Sequence, residues 1–259
     1  MKWREEFDLA VKTAKRAGES LKGWQVEPVE VLSAAGRDLK VQADRESEQL
    51  ILQALKANTP YPVLAEETGE HGAFESEAPI WIVDPLDGTL NFSRGIPLFC
   101  VSIALWQSEE PILGVVYDVE HDELFSGMVG QGAWRNDEAI SVSNVTHPGQ
   151  AILATGFPVN RDFDASPLRE FLAQVQVFKK IRLLGSAALS LAYLACGRVD
   201  AYAEEDIMLW DVAAGVALVG AAGGWVSVQD SARHKWARNV TCAAGTSVFV
   251  KNAAGLVSE

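Results

Sequence analysis

The chain has 259 residues, 48% of them hydrophobic and 22% charged, which is enough to bury one large core or two modest ones and excludes an intrinsically disordered chain. Lys and Arg number 22 against 35 Asp and Glu, so the net charge of −13 has the wrong sign for a phosphate backbone, and nucleic acid is not expected as the main partner. Cys100, Cys196 and Cys242 lie far apart and outside any Cys-x-x-Cys pattern, which predicts buried free thiols and neither a disulfide framework nor a zinc site.

Met1 to Phe7 mixes both charges with aromatics and lacks the apolar core and cleavage site of a secretory leader, so the expected location is the cytoplasm. Trp3, Phe7, Ala10, Val11, Ala14, Ala17 and Leu21 recur at helical spacing and predict an amphipathic helix. A second helix is predicted from about Arg45 to Lys56. Leu50, Ile51, Ala54 and Leu55 form its apolar face, Asp44 is its expected N-cap, and Pro60 and Pro62 forbid its continuation. From Pro62 the texture turns to strands: Val63 to Ala65, Ile80 to Val83, Cys100 to Trp106, Ile112 to Tyr117 and Glu123 to Ser126, the later ones closely linked as antiparallel neighbours.

After Ser143 strand-like pieces (Ala151 to Thr155, Ile181 to Leu184, Val199 to Ala203, Trp225 to Val228) alternate with helices at roughly Leu168 to Phe178, Ala187 to Cys196 and Val212 to Ala222. Ser186 and Gly197 bracket the middle helix as N-cap and C-terminal glycine. The polar stretch Ser143 to Gln150 places a subdomain boundary near residue 145, giving an α+β unit over 1–145 and an α/β unit over 146–259. Val212 to Gln229, the longest uncharged stretch, is broken by glycines and reads as a buried helix running into a strand, so no membrane span is expected.

Asp84-Pro85-Leu86-Asp87-Gly88-Thr89 directly follows the apolar run Ile80 to Val83, so two carboxylates emerge together at the expected end of a buried strand. Pro85 biases Asp84 toward extended backbone, and Gly88 permits a sharp turn. Glu66-Glu67 follows another short strand, and Asp211 is expected to open a helix after Trp210. Carboxylates converging from three chain segments repel one another unless a cation joins them. With oxygen ligands alone the expected ion is hard, magnesium first and manganese as a substitute. Residues 88 to 92 should enter a short helix whose free amides would accept a phosphate beside that metal. Amides and cations converging on one phosphate describe phosphoryl transfer to water.

Gly215 to Gly224 lacks a P-loop ending, Gly127, Gly130 and Gly132 miss the dinucleotide fingerprint, and no Gly-x-Ser-x-Gly elbow exists. These glycines read as packing or turn positions. His71, His121, His147 and His234 read as isolated and exposed, and Glu204-Glu205-Asp206 as a solvated acidic face.

Trp81 to Phe92 resembles the first signature of the inositol monophosphatase family, and Trp210 to Gly215 followed by Gly223-Gly224 resembles its second. Glu66-Glu67, Thr155 to Pro158 and Gly185 to Ala188 follow in family order, so the likeness spans nearly the whole chain. It implies a layered αβαβα sugar-phosphatase sandwich of two tightly packed subdomains, two or three magnesium ions, inhibition by lithium, and commonly a homodimer. By motif, Glu66, Asp84 and the Leu86 carbonyl would hold one metal, and Asp84, Asp87 and Asp211 a second. Asp44 and Thr89 match the pair that orients the attacking water, with Glu66 completing the catalytic set. The phosphate would rest on the amides of Gly88 and Thr89 beside Asp87. Gly185, Ser186 and Ala187 would lie along the ring, and Glu204 would accept from a ring hydroxyl. Glu205 and Asp206 depart from the less charged segment usual there, as does Leu90 from the usual threonine.

The expected reaction is hydrolysis of an inositol monophosphate, a small phosphate monoester, by a metal-activated water and without a covalent enzyme intermediate. The alternatives are the same chemistry on 3′-phosphoadenosine 5′-phosphate, fructose 1,6-bisphosphate or histidinol phosphate, and a non-catalytic metal-binding interaction protein.

Overall fold

The computed structural model describes residues 2–24, 31–35, 38–75, 77–157, 172 and 176–245. The described elements in chain order begin with α1 (Arg4–Trp24), the hairpin β1 (Val31–Ala35) and β2 (Asp38–Val41), and α2 (Gln42–Asn58). Next come β3 (Val63–Ala65), β4 (Gly69–His71), β5 (Pro79–Asp87), α3 (Thr89–Ser93), β6 (Cys100–Gln107), β7 (Glu110–Asp118), β8 (Glu123–Met128), β9 (Gly132–Arg135) and β10 (Glu138–Ile140). A 3-10 turn at Pro148–Gln150 leads to β11 (Ile152–Ala154), β12 (Lys180–Arg182), α4 (Ala187–Ala195), β13 (Ala201–Met208), α5 (Leu209–Ala221), β14 (Trp225–Asp230) and β15 (Ala237–Ala243).

Strands β3 to β10 form one sheet in the order β10-β9-β8-β7-β6-β5-β3-β4, antiparallel except where β3 runs parallel to β5. A five-stranded sheet has the order β12-β11-β13-β15-β14, parallel at β12-β11-β13 and antiparallel beyond. Side chains alternate across the central strands with period two, as a sheet buried on both faces requires. Val101, Ile103 and Leu105 of β6 face the α1 and α2 layer, whereas Cys100, Ala104 and Trp106 face α4 and α5. The α4 and α5 pair lies between the two sheets, in one core with Tyr202, Val240 and Cys242. The layers are helix, sheet, helix, sheet, a mixed α+β fold. No helix among the described residues is long and apolar enough to cross a membrane.

Helix α1 buries Phe7, Ala10, Ala14, Ala17 and Leu21, the stripe its spacing predicts. Each large side chain removed from water there stabilises the layer by about 1.5–3 kcal/mol. The buried stripe of α2 changes character along its length: Asp44, Ser47 and Glu48 are polar, and Ile51, Leu52 and Leu55 anchor the far end. This helix therefore docks through its C-terminal half and presents polar groups from its N-terminal half.

Several expectations change. Helix α2 begins at Gln42, and Asp44 is its third residue, not its N-cap; the Asp44 carboxylate covers the opening from inside by accepting from the Val41 amide at 2.7 Å. Asp84 and Asp87 lie within β5, which continues through a register shift against β6 between them. The strand expected at Val199 to Ala203 starts at Ala201 and runs to Met208, through the acidic triplet. Asp211 is the third residue of α5 and does not open it. Strands β1, β2, β4, β9, β10 and β15 had no clear sequence signal, being short or irregular in hydropathy. Most of the helix predicted at Leu168 to Phe178, and Pro158, lie outside the described residues. Ser186 caps α4 by accepting from the Leu189 amide, and Gly197 follows that helix at φ +76°, both as predicted. All three cysteines are free, with Cys100 and Cys242 buried and Cys196 half-buried. His121 is not isolated: its ring lies 2.9 Å from the buried carboxylate of Asp118.

Candidate active site

Strand β5 lies between β6 and the short β3, and its register shift spaces two acids differently from a regular strand. The Leu86 amide donates to Asp84 Oδ1 at 3.0 Å, a local turn that fixes the Asp84 side chain. Ser47 of α2 donates to the Pro85 carbonyl at 2.9 Å and ties this segment to the helix. Glu48, the next residue and buried, accepts from the Glu67 amide at 2.8 Å and the Thr68 hydroxyl at 2.6 Å. That contact holds the chain just after β3, where Glu66 sits. Neither Ser47 nor Glu48 was singled out in the sequence, although both fall on the α2 stripe at helical spacing from Asp44.

Carboxylate oxygens of Glu66, Asp84 and Asp211 lie within 4.8 Å of one another. They come from the end of β3, the middle of β5 and the first turn of α5, so the large sheet and the α4–α5 layer meet there. Burial pushes the Asp84 carboxyl well above the usual range, and the charges of Glu66, Asp87 and Asp211 push it further. Asp211 is raised well above its ordinary value by the same causes, burial first and then Glu66, Asp87 and Glu204. Three acids that raise one another in this way, with oxygen donors alone, fit a hard divalent cation, which would remove both the repulsion and the desolvation cost.

Asp87 stands beside this cluster with one oxygen already engaged. Its Oδ2 accepts from the Ser186 hydroxyl at 2.6 Å and the Ala188 amide at 2.7 Å, at the N-terminus of α4, and the Cys100 thiol lies 3.8 Å away. Burial raises the Asp87 carboxyl to about 6, while these donors restrain the rise. Ser186, expected along a substrate ring, therefore has its hydroxyl donated to Asp87 and its lone pair on the Leu189 amide. Cys100, packed against Asp87, was another unmarked neighbour; burial pushes its thiol up.

Gly88 adopts φ +94°, and a Cβ there would lie 2.8 Å from the Leu98 carbonyl oxygen, so the turn into α3 needs glycine. Thr89 Oγ1 then reaches the Leu86 carbonyl at 3.0 Å and Asp44 Oδ1 at 3.4 Å. The expected Asp44 and Thr89 pair is thus assembled, across 45 residues of sequence. Asn91 of α3 donates to the carbonyls of Leu98 and Leu184, joining the turn to the segment before Gly185.

A cavity of ≈ 280 Å³ opens beside these acids, lined in part by Asp87, Gly185, Ser186, Ala187, Glu204 and Asp211. Glu204 is buried and accepts from the Tyr202 hydroxyl at 2.8 Å, so this part of the acidic triplet is a cavity wall and no solvated face.

The sequence profile of the inositol monophosphatase family matches residues 2–258. The chain is 41% identical over 223 residues to the Nus factor SuhB of Xylella fastidiosa, covering 85% of this chain and 80% of that one. It is likewise 41% identical over 230 residues to inositol monophosphatase 3 of Solanum lycopersicum, covering 86% and 85%. The solved inositol monophosphatase of Anabaena superposes with a TM-score of 0.84 at 36% identity, covering 100% of this chain and 98% of that one. Acids gathered beside a small polar cavity, on this fold and with these relatives, lead to one assignment: the chain belongs to the inositol monophosphatase family and is a phosphatase.

Proposed function

We propose that the chain is a magnesium-dependent phosphomonoesterase whose preferred substrate is inositol 1-phosphate, with manganese able to substitute. The observation that carries this reading is the gathering of Glu66, Asp84 and Asp211 carboxylates within 4.8 Å, with Asp87 alongside and the cavity opening next to them. Glu66, Asp84 and the Leu86 carbonyl would hold one ion, and Asp84, Asp87 and Asp211 a second. When bound, these cations would supply Lewis-acid charge neutralisation at the phosphate and lower the pKa of water.

The chain's own groups do the rest. Amides of Gly88 and Thr89 bind phosphate oxygens, at a turn whose backbone is fixed by the left-handed Gly88. Thr89 Oγ1 and Asp44 Oδ1, 3.4 Å apart, orient the attacking water, and Asp44 receives its proton through the threonine hydroxyl. The water oxygen bonds to phosphorus as the bond from phosphorus to the ester oxygen breaks, and that oxygen takes up a proton from solvent to leave as the alcohol, with no covalent enzyme intermediate. Glu204 accepts from a hydroxyl of the leaving alcohol, and the 185–187 segment lies along its ring. We also place the protein in the cytoplasm as a homodimer, on its likeness to the family.

Phosphate release from inositol 1-phosphate, fructose 1,6-bisphosphate, 3′-phosphoadenosine 5′-phosphate and histidinol phosphate, with magnesium and with lithium added, tests the reading. A lithium-sensitive, magnesium-dependent preference for inositol 1-phosphate is expected. Preference for another member would move the substrate and keep the chemistry, and turnover unaffected by a chelator would overturn the metal assignment.

A further inference from the structure

Among the described residues lining the cavity, Asp87, Glu204, Asp206 and Asp211 are acids and none is a base. A phosphate monoester carries up to two negative charges, so this wall opposes its own substrate unless each acid is answered. Asp87 and Asp211 adjoin the cluster suited to cations, and Glu204 is placed to accept from a hydroxyl. Asp206 falls outside both arrangements. It sits in the bulge of β13, where the register against β15 shifts between Glu204 and Ile207, at φ +57°, a conformation that non-glycine residues seldom adopt. The backbone there is held by the Asp206 amide donating to Asn239 Oδ1 at 3.0 Å.

The Asp206 side chain faces the loop between β14 and β15. Arg233 Nε lies 2.9 Å from Asp206 Oδ2, the Ser231 hydroxyl donates to Asp206 Oδ1, and the Arg233 amide donates to Ser231 Oγ at 3.1 Å. Asp206 is largely buried, with 22% of its side chain exposed, whereas Arg233 is 52% exposed and stands toward solvent. The arginine is therefore a solvent-facing cation paired with an acid of the cavity lining.

We propose that Arg233 is a specificity-determining residue that neutralises Asp206 and so admits an anionic substrate to a cavity otherwise walled by acids. This rests on the reading of the cavity as the substrate site. Arg233 acts through charge and does not touch the reacting atoms. Without it, the Asp206 carboxylate keeps the Ser231 hydroxyl but leaves its negative charge at the cavity lining unanswered by a cation. By Coulomb's law in water, a unit charge weakens the binding of a dianion severalfold, about fivefold if roughly 8 Å were to separate them. Because that interaction passes partly through solvent, salt must reduce it: the Debye length falls from about 10 Å at 0.1 M to about 3 Å at 1 M ionic strength.

The test compares the full-length wild type, R233Q, D206N and the double variant R233Q/D206N, each first checked for an intact thermal transition. The readouts are the affinity for inorganic phosphate by calorimetry at saturating magnesium, and KM and kcat for inositol 1-phosphate and 4-nitrophenyl phosphate. R233Q is expected to weaken phosphate binding and raise KM about fivefold at low salt, with kcat within about twofold and the difference fading at high salt. Adding D206N should restore both toward wild type, because the offending charge is gone. A merely structural latch gives a different pattern: D206N alone would impair binding as much as R233Q, and the double variant would show no rescue. That pattern, or unchanged phosphate affinity in R233Q, overturns the proposal; should R233Q fail to fold, phosphate binding by D206N weaker than wild type does so alone. If the wild type binds phosphate and cleaves 4-nitrophenyl phosphate but leaves inositol 1-phosphate intact, the substrate reading falls while the binding series still decides the role of Arg233.

Discussion

Asp87 has one carboxylate oxygen on the α4 N-terminus and is proposed to hold an ion through its charge, so charge and geometry can be separated at this residue. In Asp87→Asn the amide oxygen can still accept from Ser186 and the Ala188 amide, whereas the amide nitrogen replaces an anionic oxygen on the opposite side. We expect a fall in kcat of about a hundredfold or more, as for loss of a group that stabilises transition-state charge, with little change in Tm. A near-normal rate at saturating magnesium would remove Asp87 from the metal set. The sequence exposed Asp84 and Asp87 because two acids, a proline and a glycine follow directly on an apolar run. It gave no comparable sign for Glu48 or Cys100, whose importance depends on neighbours 19 and 13 residues away.

Helix α5 carries Asp211 and is wedged between the large sheet and α4, so its position sets the distance of that acid from Asp84. The helix lies close against α4 at Gly215, where a Cβ would collide with the Leu191 side chain. Gly215→Ala gains about 1 kcal/mol in helix propensity but overpacks a close contact, which costs about 1–3 kcal/mol, so a modest net loss is expected. Thermal unfolding should show a Tm lowered by a few degrees, together with a higher magnesium concentration for half-maximal activity as Asp211 is displaced. A variant with raised Tm and unaltered magnesium response would mean that α4 simply moves aside. The packing reading of this glycine was available from sequence, since it interrupts an apolar helix with no motif to explain it. Its partner was not, because Leu191 belongs to a different helix.

For the molecule as a whole, the acid cluster makes stability depend on pH with a definite sign. Burial and mutual repulsion hold Asp84 and Asp211 well above the ordinary aspartate range and burial raises Asp87 to about 6, so the folded protein binds protons more tightly than the unfolded chain. Stability of the metal-free protein should therefore fall as pH rises from about 4 through about 6 and beyond, where the folded acids are forced to ionise. Magnesium held by the folded, ionised cluster, as proposed, would oppose that fall; at a hundred times its Kd a ligand adds about 2.7 kcal/mol. Tm measured from pH 5 to 8 should decline in a chelator and hold level in excess magnesium. A rising Tm in the chelator would mean that the acids are not raised, and no effect of magnesium at pH 8 would count against the cation site.

By itself the sequence determined the amphipathic helices, the buried central strands and the acids that follow them, because periodicity and local turn chemistry are properties of neighbouring residues. Two signatures in family order also specified the sandwich and the phosphatase class. Tertiary structure decided what local pattern cannot: that Asp84 and Asp87 lie inside β5 at a register shift, that Asp44 works from within α2, and that Ser186 is turned toward Asp87. It also made Glu204-Glu205-Asp206 part of a strand lining the cavity and paired Asp206 with Arg233. An acidic triplet looks the same in sequence whether water, a cation or an arginine answers its charge. Only the folding of β15 and its preceding loop against β13 chooses among them, since that contact joins residues whose separation along the chain leaves no local trace.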